Sequence, residues 1–511
     1  MAQFIEHFIW GYQENFRFIH ETHAKSLFQL LDKQFEPKVF LVGVLVDDFN
    51  DRYPACVEPE NNFWISSESF NNILEQAKPF IKTYPESNIL QSHPLAQQWQ
   101  DEHLFKRSIR DALYAVINQS PQRPDGIRYY LSYPVKINGY MVSLAIGLQE
   151  IVIQAYHRLL ISQVNIHEYR SFKVPTSFID AVVDKYLENA VEELLKPDPG
   201  CDLSVGKSPD EMLRTAGNYL MAGMGAKIDS FKNQENWEDS LFDAINKITS
   251  LKYEQAVSCG KLVLAKKAHP SLKKTITFSD PIATKNHRTV RKLLELASKD
   301  LAIHMNAKEI WGLVSVENYS SDAEDLYEVD ILGYHYWALN HAGNVLMRVK
   351  NGLPSLPVPN VDENELRTNI SRIFNNITCE NIELLISLIL AAEKEKHGTT
   401  LIISHNAEKE SQRLNNQAFT LHPVLLTPEL LKQLTPIDGA VLLTPDGICH
   451  AIGVILDGLA TEKGDKARGA RYNSAFRYIN PQKTPCIAIV FSVDGGISII
   501  IPDIYKSANG S

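Results

Sequence analysis

DGAVLLTPDGICHAIGVIL (Asp438–Leu456) is the run whose reading decides the fold of the C-terminal third. Two apolar, β-branched strips, AVLLT and ICHAIGVIL, flank Pro445-Asp446-Gly447. Proline presets the turn, aspartate bonds back to its own backbone and glycine accepts positive φ, so this spacing predicts a β-hairpin. Working outward, CIAIVFSV and ISIIIP flank Asp494-Gly495-Gly496 as a second hairpin, and HGTTLIIS reads as a turn and a buried strand. Helical spacing runs from Glu363 to about Glu395, and ARYNSAFRYI predicts one more helix. Strands and helices alternate over one core, an α/β pattern.

Upstream, the first 33 or so residues carry Phe4, Ile5, Phe8, Ile9, Phe16, Phe18, Ile19, Leu27, Leu30 and Leu31 at spacings near three and four, as an amphipathic helix does. VFLVGVLVDD (Val39–Asp48) reads as a buried strand, and Val135–Ile153 as further strand or mixed material. Ser177–Leu195 is helical in period and is stopped by Lys196-Pro197-Asp198-Pro199-Gly200. A second mixed α/β block contains Pro209–Met221, GKLVLAK, HRTVRKLLELASK, IWGLVSV and YHYWALNHAGNVLMRV. NGLPSLPVPNVDENE, with Pro354, Pro357 and Pro359, reads as a stretch that continues neither a ladder nor a helix and therefore as the linker. The expected domains are 1–198, 199–358 and 363–508.

A chain of 511 residues fits two or three such units. With 51 basic and 61 acidic side chains the net charge is −10, which disfavours broad nucleic-acid binding. Six scattered cysteines form no C-x-x-C pair, and no run approaches a membrane span, so a reducing cytoplasm and no membrane partner are expected. With acidic Glu6 and Glu14, no basic n-region and no small-residue cleavage site, the N-terminus is not expected to be a signal peptide. Ala222-Gly223-Met224-Gly225-Ala226-Lys227 lacks phosphate-loop spacing and reads as a turn after a helix; His20-Glu21-Thr22-His23 lacks metalloprotease spacing and reads as a surface helix. His335 and His341 read as core or edge positions of a strand, and Arg288, Arg291 and Lys292 as a solvated helix face.

Three places in the C-terminal block could carry chemistry. Asp438-Gly439-Ala440 precedes a strand, where a carboxylate could hold a divalent cation and glycine could admit a ligand; the alternative is a simple turn. Arg468-Gly469-Ala470-Arg471-Tyr472-Asn473-Ser474 opens a helix, so free N–H groups, a guanidinium and a hydroxyl suit a polyphosphate, or else form a solvated basic face. Ser492-Val493-Asp494 stands where a strand enters a turn.

DGAVLLTPDGICHAIGVIL, GARYNSA and IVFSVDGGISI, in this order, resemble the nucleotide-binding domain of the diadenylate cyclases, with its Asp-Gly-Ala turn, Gly-Thr-Arg-His-Arg loop and Ser-Glu-Glu turn. The likeness covers roughly Glu365 to Ile504, and HRTVRKLLEL, IWGLVSV and GYHYWALNHAGNVLMRVKNGLPSLP resemble sensor regions that precede such domains. It implies a mixed β-sheet flanked by helices, preceded by mixed α/β regulatory domains, and an enzyme that condenses two ATP into cyclic di-AMP with Mg²⁺ or Mn²⁺. Carried over residue by residue, Asp438 falls at the metal and the attacking hydroxyl, with Gly439 and Ala440 on the nucleotide. Gly469, Ala470 and Arg471 fall on the phosphate loop, followed by Tyr472, Asn473 and Ser474; Ser492 and Asp494 fall on the last turn, Asp494 as a second metal carboxylate. Ile437 replaces a frequent histidine, Tyr472 and Asn473 replace His-Arg, and Val493 replaces an acid. These departures keep a second reading open, a nucleotide-binding sensor that has lost synthesis. The likeness also implies a homo-oligomer in which two such domains face each other. A DNA-scanning role is set aside because only about 15 residues follow Gly496, too few for an added DNA module.

Overall fold

Phe16, His20, Ala24, Leu27, Phe28 and Leu31 recur at helical spacing and form the buried stripe of a helix, Gln13–Leu31. The earlier residues of that pattern, Phe4, Ile5 and Phe8, lie outside those described by the computed structural model, which are 9–47, 52–59, 64–167, 170–202, 205–228, 240–253, 259–298, 301–357, 363–393, 398–458, 469–491 and 497–505. The chain divides into two units between Pro357 and Val358.

In the N-terminal unit, Lys38–Leu45 alternates Val39 and Leu41 into one apolar cluster and Phe40, Val42 and Val44 into another. Burial on both faces is why this run reads as continuously apolar. The strand lies within a five-stranded antiparallel sheet, between Ala55–Glu58 and Tyr140–Gln149. Apolar side chains of Gln13–Leu31 and Phe178–Leu194 cover one face, and those of Ile73–Thr83 and Pro94–Gln119 the other. Ser177 caps Phe178–Leu194 by accepting from the Asp180 N–H. Lys196–Gly200 is a turn, and the same core continues past it through Met212, Leu213 and Leu220 of the helix Pro209–Ile228 to Trp337 and Met347.

Beyond that helix stands an eight-stranded sheet in the order Leu353–Ser355, Asn344–Lys350, Tyr336–His341, Leu326–Gly333, Gly260–Ala265, Ala302–Met305, Glu309–Val316 and Leu272–Ala283. Several local expectations are corrected here. Pro354 does continue a ladder, opposite Val349, because its strand is the outer edge, where a missing N–H costs nothing. Residues 222–228 are not a turn; Met224, Ala226 and Ile228 are buried and extend the apolar stripe of the helix. His20 is not on a surface: it is 2% exposed and lies 4.2 Å from the Phe16 ring. Arg291 leaves the expected basic face and is 1% exposed, its Nε donating to the Leu251 carbonyl. His341 is a core residue, hydrogen-bonded to the Tyr319 hydroxyl. No helix among the described residues is long and apolar enough to cross a membrane.

The elements of the C-terminal unit are numbered here in their own series. Helix α1 (Glu363–Ile373) and α2 (Cys379–Glu393) replace the single helix expected from Glu363 to about Glu395, whose last two residues lie outside the described set. Asn376 takes left-handed φ (+72°), which ends one helix, and Thr378 accepts from the Asn381 N–H, which starts the next. Then follow β1 (Thr400–Ser404), α3 (Ala407–Arg413), β2 (Phe419–Leu425), α4 (Pro428–Leu434), β3 (Ala440–Leu443) and β4 (Ile448–Val454). Helix α5 (Ala470–Ile479), β5 (Cys486–Phe491) and β6 (Ile497–Ile500) complete the unit.

The sheet order is β2-β4-β3-β1-β5-β6. Among the described residues of this sheet only β1 and β3 pair in parallel, so the sheet is mixed. The two expected hairpins, β3–β4 and β5–β6, are present. Val441 and Leu443 join the cluster with α1, α2 and Leu431 of α4, whereas Ala440 and Leu442 join the one with Ala407 of α3 and Ala475 and Ile479 of α5. Helices therefore cover both faces.

Candidate functional site

Asp438 stands in the short connection from α4 to β3, one residue before a backbone position that only glycine suits. Gly439 has φ of +113°, and a Cβ there would lie 2.5 Å from the carbonyl carbon of Gly453 on β4. The room that glycine makes is taken up by the neighbouring strand. This close approach is also consistent with the register shift between Ala440 and Leu442 in the β3–β4 pair. The Asp438 side chain is left projecting, 89% exposed.

The second loop approaches from α5. Gly469 is its N-cap residue, with extended backbone and no side-chain cap, and nothing lies within 4 Å of where its Cβ would be. The first N–H groups of α5 thus have no side-chain acceptor from the cap residue. Ala470 opens the helix in an exposed position, and Arg471 follows. The Arg471 Nη2 donates to the Asp438 Oδ1 at 2.9 Å, joining two turns separated by 33 positions in the chain. Its Nε is shielded from solvent and has no hydrogen-bond partner among the described residues. Tyr472 stacks on Phe476 at 6.1 Å, and the Asn473 Nδ2 donates to the Gly469 carbonyl at 3.3 Å. Ser474 is half-buried on the same helix. Ser492 and Asp494 lie outside the described residues, as do Lys466 and Arg468.

One further group has no counterpart in the sequence reading. The Arg413 guanidinium, at the end of α3, bonds both oxygens of Asp457 beyond β4, Nη2 to Oδ1 at 2.8 Å. It also bonds Glu410, Nε at 3.1 Å and Nη2 at 2.7 Å, and the Tyr478 hydroxyl of α5 donates to the same carboxylate at 2.7 Å. Burial works to raise the Glu410 carboxyl, but hydrogen bonds from Arg413 and Tyr478 outweigh it and hold it below its ordinary value. The Arg413 hydrogen bonds hold Asp457 low as well. The only local signal was an i, i+3 Glu-Arg pair on a charged helix.

As chemistry, the place offers one carboxylate open to water, one guanidinium beside it and the amide end of a ten-residue helix. A hard divalent cation takes carboxylate oxygen, and magnesium in particular is held by one or two carboxylates together with substrate phosphates. Asp438 fits that donor chemistry, although among the described residues no group of three or more potential metal ligands is gathered anywhere. Cys449 and Cys486 lie in the sheet, where burial pushes their thiols up to about 11 and about 12, so neither is a ready nucleophile.

Residues 389–503 match the family model described as DisA bacterial checkpoint controller nucleotide-binding. Residues 9–221 match "Probable sensor domain DACNG" and residues 239–343 match "Probable sensor domain DACNH". Among solved structures, a cysteine double mutant of DacA from Staphylococcus aureus is similar at 20% identity over 24% of this chain and 85% of its own, with a TM-score of 0.21. A hypothetical membrane spanning protein from Bacillus cereus is similar at 21% identity over 27% of this chain and 67% of its own, with a TM-score of 0.22. No curated protein matches. The C-terminal segment is thus similar to the DisA nucleotide-binding family and follows two segments similar to probable sensor domains.

Proposed function

We propose that this chain, with a DisA-type nucleotide-binding segment behind sensor-type segments, condenses two ATP into cyclic di-AMP and two pyrophosphates. The observation that carries the reading is the meeting of Asp438 and Arg471 at 2.9 Å beside the amide end of α5. In each half-reaction a ribose 3′-oxygen attacks the α-phosphorus of the other nucleotide, the P–O bond to pyrophosphate breaks, and the hydroxyl proton leaves the attacking oxygen. Asp438 is the acceptor placed to orient that hydroxyl. Arg471 and the first amides of α5 take the triphosphate charge and its increase during transfer. A Mg²⁺ or Mn²⁺ ion held by Asp438, together with Asp494 as the resemblance implies, would lower the hydroxyl's pKa and neutralise phosphate charge.

Energetics allow the site to open. The Asp438–Arg471 pair is largely solvated, so parting it costs about 0–1 kcal/mol, whereas a charge-assisted bond from Arg471 to phosphate returns about 1.5–3 kcal/mol. Because each nucleotide must attack the other, two such sites have to face each other, and the reading includes a homo-oligomer whose meeting is controlled by the N-terminal unit.

A second reading, a nucleotide-binding sensor without synthesis, is favoured by Tyr472 and Asn473: one stacks on Phe476, the other bonds Gly469, and neither supplies a cation. Incubating the full chain with ATP and Mg²⁺ or Mn²⁺, followed by mass spectrometry, separates the two. Cyclic di-AMP supports the cyclase; bound ATP recovered unchanged supports the sensor.

A further inference from the structure

We infer that Arg413 is a positioning residue for the phosphate loop, fixing the helix that carries Arg471 and the end of β4 from which the loop departs. The inference rests on the nucleotidyl-transfer reading of the same site. Two carboxylates meet at this one guanidinium, Glu410 of α3 and Asp457 of the residues after β4, and Tyr478 of α5 joins them by donating to the Glu410 carboxylate. Asp457 lies three positions beyond Val454, the last residue of β4. Its neighbour Gly458 lies against α5, close enough that an added Cβ would stand 2.7 Å from the Cβ of Arg477. Both banks of the 459–468 stretch are therefore tied to one group.

Helix geometry turns this tie into a direction for Arg471. Tyr478 and Arg471 are seven positions apart on α5, two turns, which leaves their side chains offset by only about 20° around the axis. Tyr478 is 3% exposed, with its hydroxyl fixed on Glu410, so the azimuth of the helix is set at that end. Arg471 then points toward Asp438. The residue type matters, because a planar fork can serve two carboxylates at once and an ammonium presents a point charge. Without the guanidinium, Glu410 and Asp457 would be like charges gathered in one place, which pushes α3 and the end of β4 apart.

The test compares the full chain with Arg413→Gln and Arg413→Lys. Binding of a non-hydrolysable ATP analogue with Mg²⁺ is measured by calorimetry, product formation by kcat and KM, and amide hydrogen exchange across 470–479 by mass spectrometry. Arg413→Gln is expected to weaken the analogue by roughly tenfold, lower kcat and speed exchange in α5, with Arg413→Lys between it and the parent. Residue 413 is 45% exposed in its side chain, so the variant should fold, and a lower melting temperature alone would not reproduce this pattern. Parent-like affinity, turnover and exchange in an otherwise active Arg413→Gln chain overturn the positioning role and leave the cyclase reading standing. If the parent makes no cyclic product but Arg413→Gln still weakens the analogue and loosens α5, the cyclase reading fails and positioning stands. If the parent binds no analogue, exchange decides alone: faster in Arg413→Gln supports the role, unchanged refutes it.

Discussion

Removing the Arg471 guanidinium separates a binding group from a structural one. In the ligand-free chain its bond to Asp438 is solvated on both sides, the side chains being 39% and 89% exposed, so its loss should change folding stability by less than about 1 kcal/mol. Alanine is also a good helix former at this first-turn position, which offsets part of even that. Toward a triphosphate the balance differs. The charge-assisted bond is worth about 1.5–3 kcal/mol, less about 0–1 kcal/mol for parting the resting pair, leaving about 0.5–3 kcal/mol. At 1.4 kcal/mol per decade, Arg471→Ala should raise the Kd of an ATP analogue by about 2- to 150-fold. Calorimetry gives the Kd, and urea unfolding of the same samples gives stability. An unchanged Kd in a stably folded variant refutes the phosphate role, and a stability loss above about 2 kcal/mol would show that the pair is structural.

Asp438→Asn should abolish cyclic product while leaving the unfolding curve in place, since the side chain is exposed; near-parent turnover by mass spectrometry would sink its assignment. Gly439→Ala should cost on the order of 1–3 kcal/mol from left-handed strain alone, with more from contact with Gly453, and a parent-like urea midpoint would contradict the close approach of β3 and β4. Burial holds His20 down to about 3, well below its ordinary value of 6.5. The unfolded chain therefore binds a proton there below about pH 6.5 while the folded chain does not until about pH 3, so stability should fall as pH drops through that window. His20→Phe should flatten that slope, and identical pH-stability curves for both chains would refute the burial.

How much could be read in advance follows the range of the interactions. The β3–β4 hairpin was legible because Pro445, Asp446 and Gly447 act on their own backbone. The break after α1 was not, because Asn376 in left-handed conformation looks like any helical residue until its φ is known. The place of His20 inside is carried by the spacing it shares with Phe16 and Ala24, a helical stripe, and not by its pairing with His23. Gly439 was noticed for its freedom, but which surface it faces is set by Gly453, on the next strand. That Asp438 and Arg471 belong to one site is legible only through the resemblance, and the Arg413 group, in which Asp457 lies 44 positions from Arg413 and Tyr478 lies 68 from Glu410, leaves almost no local trace.

Burial sorts the charged pairs of this protein by what each is able to do. Lys227 and Glu324 in the N-terminal unit are 2% and 1% exposed, and Glu324 also accepts from the N–H groups of Leu160 and Ile161. Parting such a pair strands a buried charge at about 3–5 kcal/mol, so it holds structure and does not exchange partners readily. Arg413 is intermediate: half in water, yet committed to two carboxylates, which suits a fixed support. Asp438 and Arg471 hold each other by one solvated bond, and an incoming phosphate can outbid it. A ligand site needs ions that are weakly engaged at rest and rigidly mounted, and in the C-terminal unit these two conditions are met by different residues, the exposed pair for the first and the Arg413 network for the second.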